Sequence, residues 1–154
     1  MQGYRQYMED RYIFANFLEE NAFLAAVLDG HGGSEVVNLT KNTFADKITP
    51  KVSKIFESSK DEAIEILTEF FYEYDAYLKK SLSNTWHRSG TTFTGILMNN
   101  SDVIVMNVGD SKTYLLNKKE INFEVNFHFH GHSERIISTQ RDAQASLFFP
   151  YYYK

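Results

Sequence analysis

Three acidic motifs stand at the ends of apolar runs, and their residue types suit hard-cation and phosphate chemistry. The first is Arg5 with Glu9 and Asp10. Paired carboxylates suit Mg²⁺ or Mn²⁺, and a guanidinium matches phosphate oxygens with a planar fork. The second is Asp29-Gly30-His31-Gly32-Gly33, set behind Leu24-Ala25-Ala26-Val27-Leu28. An acid at a strand end can bridge metals, Gly30 lets its carbonyl approach an ion, and His31 can donate a proton near neutral pH. The third is Asn107-Val108-Gly109-Asp110-Ser111-Lys112, where an acid again follows an apolar run at a glycine break. Each motif also has a plain structural reading: a solvated charge cluster, a turn before a helix, and a hairpin turn. Converged, the three would form an anionic cluster that repels itself without cations.

Two further groups carry less. His128, His130 and His132 alternate, so on a strand they would share one face and offer imidazoles to a metal. Gly131 interrupts them, and a wet strand face accounts for them better than a metal does. Trp86 and His87 fall in a polar connection, where packing or capping explains them.

The elements that must position the acids follow from hydrophobic periodicity. Arg11 to Leu18 and Ala22 to Leu28 read as two strands of a hairpin joined through Glu19-Glu20-Asn21. Val36 to Ile48 reads as a helix, with Pro50 ending it or starting the next segment. Asp61 to Lys80 is the clearest helix: Ile64, Leu67, Phe71, Tyr74 and Leu78 form a continuous apolar stripe. Lys79 and Lys80 sit in its last turn, where the helix dipole favours cations. After a polar connection over 81–89 the period changes. Thr91 to Met98, Val103 to Val108, Thr113 to Leu116 and Asn122 to Phe129 read as strands, with Asn99-Asn100-Ser101 as a turn. Strands, then helices, then strands predict an α+β domain rather than a parallel α/β one.

Composition bounds the rest. A chain of 154 residues, 43% hydrophobic and 23% charged, can bury one real core. A net charge of −4 gives no support for binding nucleic acid or an acidic membrane surface. Without cysteine, disulfides, thiolate catalysis and cysteine zinc sites are all excluded. No run is apolar enough to span a bilayer and the opening residues lack a signal-peptide pattern, so the expected location is cytoplasm or nucleus.

Taken together, the motifs resemble a known family. Met1-Gln2-Gly3-Tyr4-Arg5-Gln6-Tyr7-Met8-Glu9-Asp10 is similar to the opening motif of the metal-dependent serine/threonine protein phosphatases of type 2C (PPM). Leu28-Asp29-Gly30-His31-Gly32-Gly33, Ser89-Gly90-Thr91-Thr92 and Asn107-Val108-Gly109-Asp110-Ser111-Lys112 resemble the next three motifs, in family order. The resemblance covers roughly residues 1–116 and leaves 117–154 as a divergent segment. It implies two antiparallel sheets in a sandwich flanked by helices, here in part. It also implies phosphoserine and phosphothreonine hydrolysis in phosphoprotein substrates by a metal-bound hydroxide, with Mg²⁺ or Mn²⁺. Carried over, Asp29 bridges two metals, Glu9 and the Gly30 carbonyl serve one of them, and Asp10 holds its waters. Arg5 grips the phosphate, His31 is the general acid, and Asp110 serves a third, weaker metal site. Lys112 stands where the family usually has Arg.

The family's later acidic motifs have no counterpart. Asp29-Gly30 is the only Asp-Gly pair, no Asp-Asn pair exists, and Asp142 is the only Asp after Asp110. The resemblance therefore implies the first part of the domain, with one metal short of ligands and activity reduced. It also implies strands with open edges that favour self-association. The alternative expectation is a fragment that binds phosphoproteins through Arg5, as a regulatory module without turnover.

Overall fold

The computed structural model describes residues 2–84, 88–116, 121–125 and 151–152. Its first element is a hairpin. Strands β1 (Arg11–Phe17) and β2 (Ala22–Leu28) pair antiparallel from Arg11 opposite Leu28 to Phe17 opposite Ala22. Asn21 closes the connection at φ +48°, a left-handed conformation that Asn tolerates better than most side chains. Short β3 (Gly30–His31) follows, then helices α1 (Glu35–Glu57) and α2 (Lys60–Ser81). Short β4 (Gly90–Thr91) pairs with β3, placing Gly30 opposite Thr91 and His31 opposite Gly90. Strands β5 (Phe93–Met98) and β6 (Asp102–Val108) extend the main sheet. Strands β7 (Thr113–Leu116) and β8 (Ile121–Val125) form a separate two-stranded sheet. With β9 (Tyr151–Tyr152), the main sheet runs β1-β2-β5-β6-β9, every neighbouring pair antiparallel. This is the expected α+β architecture of antiparallel sheets with helices.

The core lies between the main sheet and the two helices. Ile13, Phe17, Leu24, Leu28, Phe93, Leu97, Ile104 and Met106 point inward from alternate strand positions. Val37, Phe44, Ile48, Val52 and Ile55 face them from α1, and Leu67, Phe70, Phe71, Tyr74 and Leu78 from α2. Phe44 is the hub, with ring centroids 4.4 Å from Phe93, 5.1 Å from Tyr74 and 5.3 Å from Phe70. Each such fully buried side chain contributes about 1.5–3 kcal/mol. The Tyr74 hydroxyl shares a 2.8 Å hydrogen bond with Thr43, and burial pushes its pKa up to about 12.

Helix α2 begins with a capping box. Ser59 Oγ accepts from the Glu62 N–H, and the Glu62 carboxylate accepts from the Ser59 N–H. The Ser59 hydroxyl and backbone hold the Glu62 carboxyl below its ordinary value.

Two elements differ from the sequence reading. Helix α1 continues through Pro50 to Glu57. Pro50 is exposed, so the carbonyl it leaves without an intrahelical partner can be hydrated. Val52 and Ile55 keep the buried stripe running and offset that loss. The strand expected over 91–98 is broken at Thr92 into β4 and β5, because Thr92 leaves the regular ladder to bond Asp29. Residues Trp86, His87, His128, His130 and His132 lie outside the described residues, as does most of 117–154.

Candidate functional site

The hairpin and the two short strands bring the first two acidic motifs to one end of the main sheet. There, Gln2, Arg5, Tyr7, Met8, Glu9, Asp10, Asp29 and Gly30 line a cleft of about 250 Å³. Arg5, Asp10 and Asp29 are exposed, Glu9 is half-buried, and Gly30 is buried.

Gly30 is there because nothing larger fits. A Cβ on it would stand 2.6 Å from the Glu9 carbonyl oxygen and 2.9 Å from Val37 Cγ1. The close approach of residue 9 to residue 30 thus depends on a missing side chain. Gly32 and Gly33 follow at φ +69° and +133°, both in the region that favours glycine. Their turn aims the Gly33 N–H at Glu9 Oε1, 2.7 Å away. Ser34, the N-cap of α1, makes no side-chain cap bond; Glu35 stands in the first turn, and Glu9 brings a second carboxylate to this helix start. A carboxylate is favoured there by the helix dipole.

Asp29 is fixed from the opposite side. Its N–H donates to Thr92 Oγ1 at 3.1 Å, and its carbonyl accepts from the Thr92 N–H at 2.9 Å. Thr92 Oγ1 also lies 2.8 Å from Ser111 Oγ. Through this buried threonine the Ser89–Thr92 motif becomes a brace that joins the second and third acidic motifs.

The expected site residues are therefore gathered in part. Arg5, Glu9, Asp10, Asp29 and Gly30 share one cleft. His31 is next along β3, half-buried opposite Gly90, and Asp110 is exposed in the turn after β6. Neither is among the described residues that line the cleft. The donors are carboxylate and carbonyl oxygens, the set that hard divalent cations prefer. Among the described residues, no group of three or more His, Asp and Glu side chains could hold a metal ion unaided. One or two carboxylates, a carbonyl and water fit Mg²⁺, which keeps several of its waters.

Sequence reading missed two residues of this region. Arg11 reads as the first residue of a strand, yet its guanidinium donates to three oxygens around the cleft. Thr92 reads as part of the strand expected over 91–98, yet its bonds reach residues far away in sequence. The signal available for Arg11 was its place directly after the acidic pair.

The α+β fold of this chain recurs in known proteins. The protein phosphatase 2C family model matches residues 1–135, and the chain belongs to that family. Among curated relatives, probable protein phosphatase 2C 5 of Paramecium tetraurelia is 30% identical over 126 residues, covering 75% of this chain and 41% of that protein. Human protein phosphatase 1B is 29% identical over 142 residues, covering 83% of this chain and 29% of its own. The chain thus spans less than half the length of these curated relatives. Two solved structures share the fold. A serine-threonine phosphatase 2C from Toxoplasma gondii superposes with a TM-score of 0.59 at 16% identity, over 81% of this chain and 46% of that one. Serine/threonine phosphatase Stp1 from Staphylococcus aureus gives 0.57 at 22% identity, over 78% and 48%.

Proposed function

We propose that this chain carries the metal and phosphate-binding half of a protein serine/threonine phosphatase site, acting on phosphoserine and phosphothreonine in protein substrates. The observation that supports this most is the single cleft shared by Arg5, Glu9, Asp10, Asp29 and Gly30 in a member of the protein phosphatase 2C family.

Asp29, Glu9 and the Gly30 carbonyl would hold Mg²⁺ or Mn²⁺, with Asp10 hydrogen-bonding water beside it. When bound, such an ion neutralises phosphate charge and makes water a better nucleophile near neutral pH. Arg5 orients the phosphate through its planar guanidinium. His31, one residue beyond Gly30, is the proton donor to the leaving hydroxyl. Glu9 has a divided role: its Oε1 accepts from Gly33, and the residue also lines the cleft. Asp110 serves a weaker cation position in its own turn.

The Asp29→Asn substitution tests this. It removes the central negative charge and keeps the shape. Expected is loss of Mn²⁺-dependent hydrolysis of a phosphothreonine peptide by at least ~100-fold. Unchanged turnover in the variant would sink the proposal.

The absence of Asp110 from the cleft lining, with no three-acid group among the described residues, favours a second reading. In it the chain binds phosphoproteins through Arg5 as a regulatory module. Phosphopeptide binding lost in Arg5→Ala, from a wild-type chain without turnover, would select that reading. Strand β1 stands at one end of the main sheet, and its edge, unpaired among the described residues, is where a second copy would add. Sedimentation analysis of the wild-type chain tests that association, and a concentration-independent monomer rules it out. No described helix is long and apolar enough to cross a membrane.

A further inference from the structure

Arg11 belongs to none of the acidic motifs, yet its guanidinium makes three hydrogen bonds beside the cleft. Its Nη1 donates to the carbonyl oxygens of Met8 and Asp10, both at 2.8 Å. Its Nε donates to Asn38 Oδ1 on α1, also at 2.8 Å. The two carbonyls flank Glu9 and belong to the segment that supplies both carboxylates of the first motif. That segment forms no helix or strand, and Met8 and Asp10 on either side of Glu9 are exposed.

We infer that Arg11 is a positioning residue for the cation site: with Asn38 it locks residues 8–10 onto helix α1 so that Glu9 and Asp10 face Asp29. The inference rests on the reading of the cleft as a Mg²⁺ or Mn²⁺ site. A planar guanidinium with donors on two sides can join two backbone carbonyls and a side-chain amide at fixed angles, which a flexible ammonium cannot. The anchor is well placed, because Asn38 lies one helical turn from Ser34, where α1 begins. Glu9 makes the second tie, to Gly33 at the same end of α1. Together the two ties restrain the acidic segment from either side of Glu9. Without the Arg11 tie, Glu9 would keep its bond to Gly33 but Asp10 would be free to swing. Partners that orient metal ligands in this way typically set metal affinity by about 10–100-fold.

The test is Mn²⁺ binding to the full chain, read by the paramagnetic resonance signal of free Mn²⁺. Far-UV circular dichroism confirms folding of each variant. Expected for Arg11→Ala is Mn²⁺ affinity weakened by ~10-fold or more. Arg11→Lys keeps the charge and recovers only part of it. Asn38→Ala weakens binding less, and adding it to Arg11→Ala weakens binding no further, because both act through one bond. Should Arg11→Ala fail to fold, Arg11→Lys and Asn38→Ala carry the same comparison. A folded Arg11→Ala chain with wild-type Mn²⁺ affinity overturns the positioning role alone, as does full recovery by lysine. A wild-type chain that takes up no Mn²⁺, or whose uptake is indifferent to Asp29→Asn, overturns the cleft reading and this inference with it.

Discussion

The core between sheet and helices and the cleft at the sheet's end are held by different forces. In the core, Phe44, Tyr74, Phe70 and Phe93 are buried and packed ring against ring, and burial of apolar surface does most of the work. In the cleft, three of the four charged residues are exposed, and order comes from bonds to backbone groups: Glu9 to Gly33, Arg11 to residues 8 and 10, Thr92 to Asp29. The core tolerates little loss of volume. The cleft tolerates little movement of the backbone. Stability and ion binding should therefore respond to separate substitutions.

The largest expected effect on stability is Phe44→Ala, at about 3–5 kcal/mol, because it empties the hub of the aromatic cluster. Urea denaturation measures it. If the two regions are separately held, the fraction still folded retains its Mn²⁺ affinity. Gly30→Ala comes next. Its Cβ would press on the Glu9 carbonyl and Val37, costing about 1–3 kcal/mol as overpacking does. Unlike Phe44→Ala, it should weaken Mn²⁺ binding in molecules that remain folded, and calorimetry of the folded variant decides. The smallest effect depends on pH. The folded state holds the Tyr74 proton more tightly than the unfolded chain, whose tyrosines titrate at the ordinary value of 10.0, against about 12 when folded. Its contribution is therefore constant below about pH 10 and is lost as pH rises toward 12. Tyr74→Phe should flatten that part of the stability profile and leave the cleft unaffected. At neutral pH it should cost only about 1 kcal/mol, for the lost bond to Thr43.

Legibility in the sequence divides along the same line. Alternation in Arg11–Leu28 and the stripe in Asp61–Lys80 locate β1, β2 and α2 within a residue or two, because burial imposes its period locally. Pro50 misleads, since its usual meaning as a helix stop ignores which side of the helix it faces. The site residues Arg5, Glu9, Asp10, Asp29 and Gly30 are visible as motifs, and their sharing of one cleft follows from family resemblance rather than from spacing. Arg11 and Thr92 are not visible as site residues. Their roles lie in bonds to Asn38 and Asp29, and no local pattern encodes a partner 27 or 63 residues away. The breaking of one expected strand into β4 and β5 has the same source.

The bond between Asp29 and Thr92 also orders events in time. The β1–β2 hairpin and the α1–α2 pair each close over short loops, whereas the Asp29–Thr92 bond closes a loop of 63 residues that contains both helices. Loop-closure entropy rises with length, and contacts between distant residues form late. The chain should therefore assemble its hairpin and helices first and the cleft last. Pulsed hydrogen exchange during refolding would show the Asp29 and Thr92 amides gaining protection after those of Leu24 and Leu67. A nascent chain would pass through a stage with its core begun and its cleft unmade until residue 92 has emerged.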